Sequence, residues 1–132
     1  MAKKILLVDD DPGVHLITVP ILSKAGYDVI SAKNGEQALH LALNERPNLV
    51  LLDVIMPGIK GRDLCKKIKA YDVLKDIAVV FLTAKDSQDD IEAEMQAGAV
   101  THLTKPVNPK ELLQAIGRII GSPGAEAQEP GK

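Results

Sequence analysis

The chain has 132 residues, 45% of them hydrophobic, enough to bury one core and too few for two comfortable domains. Its 16 basic and 18 acidic residues leave a formal charge of -2 and are interspersed rather than gathered in a stripe, which argues against direct nucleic-acid binding. Cys65 is the only cysteine, so an intrachain disulfide and a Cys-based zinc site are both excluded, and a reducing cytoplasm is the expected compartment.

Met1 to Lys4 could open a signal peptide, but the apolar run Ile5 to Val8 stops at three acids, Asp9, Asp10 and Asp11. No later apolar stretch approaches the roughly 20 residues needed to cross a bilayer, so a soluble protein without membrane contact is expected. Asp11 before Pro12 marks a helix start. Pro20 falls inside that helix and predicts a kink, since its missing N–H and ring clash cost about 3 kcal/mol in a helix interior. Gly26 ends it, and Tyr27 to Ser31 reads as a second strand. Asn34, three residues before Gln37, opens a second helix, followed by a third strand over Asn48 to Leu52 and a fourth over Ile77 to Leu82. Ser87 before Gln88 marks a further helix, and the acids from Asp86 to Asp90 suit its N-terminus. Gly98 precedes a fifth strand, Val100 to Thr104. Asn108, Pro109 and Glu111 then start a last helix whose Leu112, Leu113, Ile116, Ile119 and Ile120 form one apolar stripe before Gly121. Residues 1–121 are expected to form the domain. From Ser122 onward, residues 122–132 read as a flexible tail or linker.

Strands alternating with helices predict an α/β doubly wound parallel sheet with helices on both faces. The runs around Leu6, Leu51 and Val80 are continuously apolar, as central strands covered on both faces must be. Polar residues then stand where the apolar runs end: Asp9 and Asp10, Asp53, Thr83 and Lys105. In a parallel sheet these ends share the edge at which doubly wound folds bind ligands.

Adjacent strands lie about 4.8 Å apart. Two carboxylates at roughly 5 Å repel by about 3 kcal/mol at an effective dielectric near 20, so a cation belongs among them. A hard divalent ion with Lys105 brings about +3 against about -3 from Asp9, Asp10 and Asp53, leaving a nearly neutral site able to accept a phosphoryl group on an aspartate. Asp11 is best explained as a helix cap, and His15 and His40 as surface or boundary residues.

Ile5-Leu-Leu-Val-Asp-Asp, Leu52-Asp-Val-Ile-Met-Pro-Gly, Leu82-Thr-Ala and Leu103-Thr-Lys-Pro, occurring in that order, resemble the motifs of bacterial response-regulator receiver domains over about residues 3 to 120. The resemblance implies a flavodoxin-like sheet of order 2-1-3-4-5 and a chemotaxis-regulator-like signalling module of two-component systems. It implies phosphorylation at Asp53 and Mg²⁺ or Mn²⁺ held by Asp10 and Asp53, with Asp9 acting mainly through water and Ile55 lending its carbonyl. Thr83 and Lys105 would hold the phosphoryl group, Ala84 would keep access open, and the Lys105-Pro106 bond would be cis. The implied partners are a sensor histidine kinase or phosphotransfer protein, and a target at the face of the fourth helix, fifth strand and fifth helix, about Gln88 to Ile120. The chain would act as a monomer or a weak phosphorylation-linked dimer, catalysing only its own phosphorylation and dephosphorylation.

His102 stands where many receivers carry an aromatic ring that moves with the threonine, and is a candidate switch. Ile55 and Lys85 flank the site and should tune water access. A haloacid-dehalogenase-type phosphatase would require a second Asp where Ile55 stands. A flavin- or nucleotide-binding flavodoxin-like protein would require a Gly/Ser/Thr loop where Asp9, Asp10 and Asp11 stand.

Overall fold

The computed structural model describes residues 3–54, 60–83 and 95–122. Five strands, β1 (Lys4–Val8), β2 (Asp28–Ala32), β3 (Leu49–Asp53), β4 (Ala78–Thr83) and β5 (Thr101–Thr104), form one parallel sheet of order β2-β1-β3-β4-β5. The helices among the described residues are α1 (Pro12–Lys24), α2 (Gly35–Glu45), α3 (Gly61–Ala70) and the C-terminal helix (Pro109–Ile120). The expected helix start at Ser87, the acidic run Asp86 to Asp90, and Ile55, Met56 to Gly58, Ala84 and Lys85 lie outside the described residues.

The continuously apolar strands split their side chains between two cores, because successive residues point to opposite faces. Leu6, Val8, Val50, Leu52, Val79 and Phe81 pack with Ala38 and Ala42 of α2 and Leu64, Cys65 and Ile68 of α3. Ile5, Leu7, Leu49, Leu51, Val80 and Leu82 pack with Leu22 of α1 and Leu112 and Ile116 of the C-terminal helix. Cys65 is buried and donates to the Ala97 carbonyl at 3.3 Å. Burial pushes its thiol up to about 11, with Lys69 pulling weakly the other way, so it packs as a small apolar group rather than serving as a nucleophile.

The capping residues satisfy the helix-start amides. Asp11 Oδ1 accepts from Gly13 N at 2.9 Å, Asn34 Oδ1 from Gln37 N at 2.8 Å, and Asn108 Oδ1 from Lys110 N and Glu111 N at 2.8 and 3.2 Å. Gly26, Gly98 and Gly121 take positive φ values of 105°, 112° and 83° where helical turns end. α1 runs unbroken through Pro20. The carbonyl that Pro20 cannot serve belongs to Leu16, an exposed residue of the same helix. No helix among the described residues is long and apolar enough to cross a membrane.

Strand boundaries differ from the expected ones by one residue. Tyr27 precedes β2; it is buried because its ring belongs to the α1-side core and its hydroxyl donates to the Gly121 carbonyl at 3.0 Å. Asp53 and Thr83 are the last residues of their strands, with Asp53 paired to Leu82 and Thr83 to Thr104. Their backbones are therefore held by the sheet while their side chains stand at its edge.

Candidate functional site

The carboxyl ends of β1 and β3 bring Asp9, Asp10 and Asp53 together, each offering an oxygen within 4.8 Å of the others. Asp9 is fully buried and Asp53 nearly so, whereas Asp10 is exposed. Burying Asp9 is tolerable because its carboxylate is satisfied at both oxygens: Oδ1 accepts from Asp11 N at 3.0 Å and Oδ2 from Lys105 Nζ at 2.9 Å. Its own amide donates to the Ala32 carbonyl at 3.1 Å, extending the β1–β2 pairing one step past Val8.

Lys105 follows β5, at the far side of β4 from Asp53. Its backbone amide donates to the Thr83 carbonyl at 2.6 Å, and the bond to Pro106 is cis. Its ammonium crosses to Asp9 and lies 3.4 Å from Asp53 Oδ1. Lys105 thus meets Asp9 more closely than Asp53, a preference its reach alone could not reveal. Partial burial pulls its pKa down, but the hydrogen bond to Asp9 and the charges of Asp53 and Asp9 outweigh that and leave it above the ordinary lysine value. The ammonium therefore stays charged at neutral pH.

Thr83 is nearly buried at the end of β4, beside Asp53 on β3. His102 is half-buried on β5, paired in register with Phe81, two residues short of the Thr83–Thr104 pair. It lines a surface cavity of about 700 Å³ with Glu111, Gln114 and Arg118 of the C-terminal helix. Asp11 is occupied as the α1 cap, and His40 contacts exposed Asn44 at 2.9 Å.

Two residues with no site role in the sequence reading hold the site's backbone. The first is Gly61, where α3 begins without a capping side-chain bond from Lys60. A Cβ here would overlap the Asp53 carbonyl oxygen and lie 2.9 Å from Val54 Cα, while the Gly61 amide donates to the Val54 carbonyl at 3.0 Å. A helix opening on an uncapped glycine is the sequence signal that space, rather than capping, dictates the residue. The second is His15, whose Nε2 lies 2.7 Å from the Asp9 carbonyl oxygen. A polar ring in the first turn of a helix that directly follows the acids was its signal, because helical side chains lean toward the N-terminus.

Three carboxylates against the Lys105 ammonium leave two negative charges beyond what that lysine balances. All the donor atoms are hard oxygens, and one carboxylate is solvent-facing. That set fits one divalent cation of the Mg²⁺ type, which favours a few carboxylates and retained waters.

Residues 5–117 match the model of the response regulator receiver domain. The chain is 38% identical over 120 residues to sporulation initiation phosphotransferase F of Bacillus subtilis, covering 91% of this chain and 95% of that one. It is 37% identical over 120 residues to the alkaline phosphatase synthesis transcriptional regulatory protein PhoP of the same organism; the match covers 91% of this chain and only about half, 49%, of that relative. The fold superposes with a TM-score of 0.85 on the receiver domain of the sensor histidine kinase PA1611 from Pseudomonas aeruginosa, at 32% identity, covering 92% of this chain and all of that one. That crystal structure has a magnesium ion coordinated in its active site cleft.

Proposed function

Because the chain belongs to the response-regulator receiver family and so serves two-component signalling, we propose that Asp53 is its phosphoryl acceptor and that Asp9, Asp10 and Asp53 hold the Mg²⁺ the reaction needs. The observation that carries this reading is the convergence of these carboxylates with Lys105 at the ends of β1, β3 and β5. Ile55 would add its backbone carbonyl. The bound ion would screen the carboxylate from an anionic donor.

An Asp53 carboxylate oxygen forms a bond to phosphorus as the donor's P–N or P–O bond breaks, and the leaving group departs with the bonding pair. The sheet holds the Asp53 backbone, so the nucleophile is positioned before the donor arrives. Lys105 Nζ, already 3.4 Å from Asp53 Oδ1, pairs with the incoming phosphoryl oxygens. The Thr83 hydroxyl donates to one of them, and Ala84 would keep the approach open. The chain thereby catalyses only its own phosphorylation and dephosphorylation, in the cytoplasm. The unit responsible is residues 1–121, with 122–132 as tail or linker; the family match, and a last helix ending at Ile120, support that division.

The test is incorporation of phosphate from a labelled small-molecule phosphodonor. Label should enter with Mg²⁺ or Mn²⁺ and fall at least about a hundredfold on chelation with EDTA; undiminished labelling in EDTA would sink the metal assignment.

The donor in the cell is a sensor histidine kinase or phosphotransfer protein, and the output is a population shift at the face running from about Gln88 to Ile120. His102 couples Thr83 to that face, because it sits on the adjoining strand and lines the cavity against the C-terminal helix. Phosphorylated His102→Ala should lose affinity for the target several-fold relative to the phosphorylated parent. Equal affinities would reject the coupling.

A further inference from the structure

We infer that His15 is a positioning residue of the acidic site: its Nε2 donates to the Asp9 carbonyl and thereby sets the peptide plane between Asp9 and Asp10. The inference rests on the reading of Asp9, Asp10 and Asp53 as the divalent-cation site. His15 lies in the first turn of α1, so its ring leans back over the end of β1. The Nε2 to oxygen distance is 2.7 Å, and because a carbonyl only accepts, Nε2 carries the proton.

The ring's other nitrogen strengthens the argument. Nδ1 is buried without a hydrogen-bond partner, a cost the ring would avoid by turning that atom to water. The contact to Asp9 therefore dictates where the ring sits. Asp9 is consequently fixed at every polar atom: the amide by Ala32, one carboxylate oxygen by Asp11, the other by Lys105, and the carbonyl by His15. That carbonyl is half of the peptide joining Asp9 to Asp10. Two of the three clustered carboxylates hang from this one plane, and Asp10, being exposed, has little packing of its own to hold it.

Orienting contacts of this kind typically change metal affinity 10- to 100-fold. His15→Leu removes the donor and keeps an apolar body. His15→Gln places an amide N–H near where Nε2 stood. Mg²⁺ titration by calorimetry on the full chain should show binding about tenfold weaker in His15→Leu and restored to within about threefold of the parent in His15→Gln. In the metal-free proteins, the Asp9 carbonyl-carbon and Asp10 amide resonances should move in His15→Leu and return in His15→Gln, with thermal melts reported alongside.

Equal Mg²⁺ affinity in parent and His15→Leu overturns the inference, as does a His15→Gln that folds but binds as weakly as His15→Leu. If His15→Leu does not fold, His15→Met takes its place under the same criteria. A parent chain that binds no Mg²⁺ while its Asp9 and Asp10 resonances still respond to His15 substitution would overturn the cation-site reading, and with it the metal-positioning role, while leaving the hydrogen bond itself established.

Discussion

Asparagine at position 53 is expected to lower phosphoryl incorporation from a small-molecule phosphodonor at least about a thousandfold, with the fold intact. The amide has nearly the shape of the carboxylate, but lacks the anionic oxygen that attacks phosphorus. Asp53 is 7% exposed and closes β3 against Leu82, so a substitution that altered its volume would confound loss of chemistry with loss of packing. Asn avoids that. It also removes one carboxylate from a cluster within 4.8 Å, while Lys105 keeps its 2.9 Å bond to Asp9. Metal-free stability should therefore hold or rise slightly, because a like-charge repulsion is relieved. Intact-mass measurement after donor treatment reads the chemistry, and a thermal melt without Mg²⁺ reads the fold. A phosphorylated Asp53→Asn chain would show that another residue is the acceptor.

Gly61→Ala should destabilise the protein by about 2 kcal/mol, roughly 8 °C in Tm, and slow phosphorylation as well. Two effects oppose each other. Alanine in place of glycine in a helix contributes up to about 1 kcal/mol of helix propensity. Against this, the new methyl would overlap the Asp53 carbonyl oxygen and approach Val54 Cα to 2.9 Å. These are backbone atoms at the end of a central strand and cannot rotate away as a side-chain tip could, so the clash prevails. Either α3 retreats or the end of β3 moves, and the second alternative displaces the nucleophile itself. An alanine variant with parental Tm and parental labelling rate would refute the close approach. Gly117, on the C-terminal helix with nothing within 4 Å of its added Cβ, is the control: Gly117→Ala should leave both unchanged or raise stability slightly.

Much of this was legible in the chain. Ile5 to Val8 and Leu49 to Leu52 are fully buried, as their unbroken apolarity required of strands covered on both faces. Asp11, Asn34 and Asn108 cap helices because a cap is a contact between residues two or three apart, which sequence displays directly. Strand ends were less legible. Tyr27 is as buried as a strand residue yet stands before β2, since an aromatic ring at a turn fills the same core that strand residues fill. Pro20's local clash was legible in the same way; that α1 continues through it to Lys24 was not.

By itself, the sequence determined the alternating parallel fold and the chemical type of residue at each strand end, because burial and helix capping are written in neighbouring residues. Family resemblance supplied the strand order. Tertiary structure alone decided that Lys105 bonds Asp9, 96 positions away, more closely than Asp53, that Gly61 must leave room for the Asp53 carbonyl, and that His15 reaches the carbonyl of Asp9. Those contacts depend on sheet register and on where each helix settles against the edge, both fixed by packing of the whole core and by no local pattern.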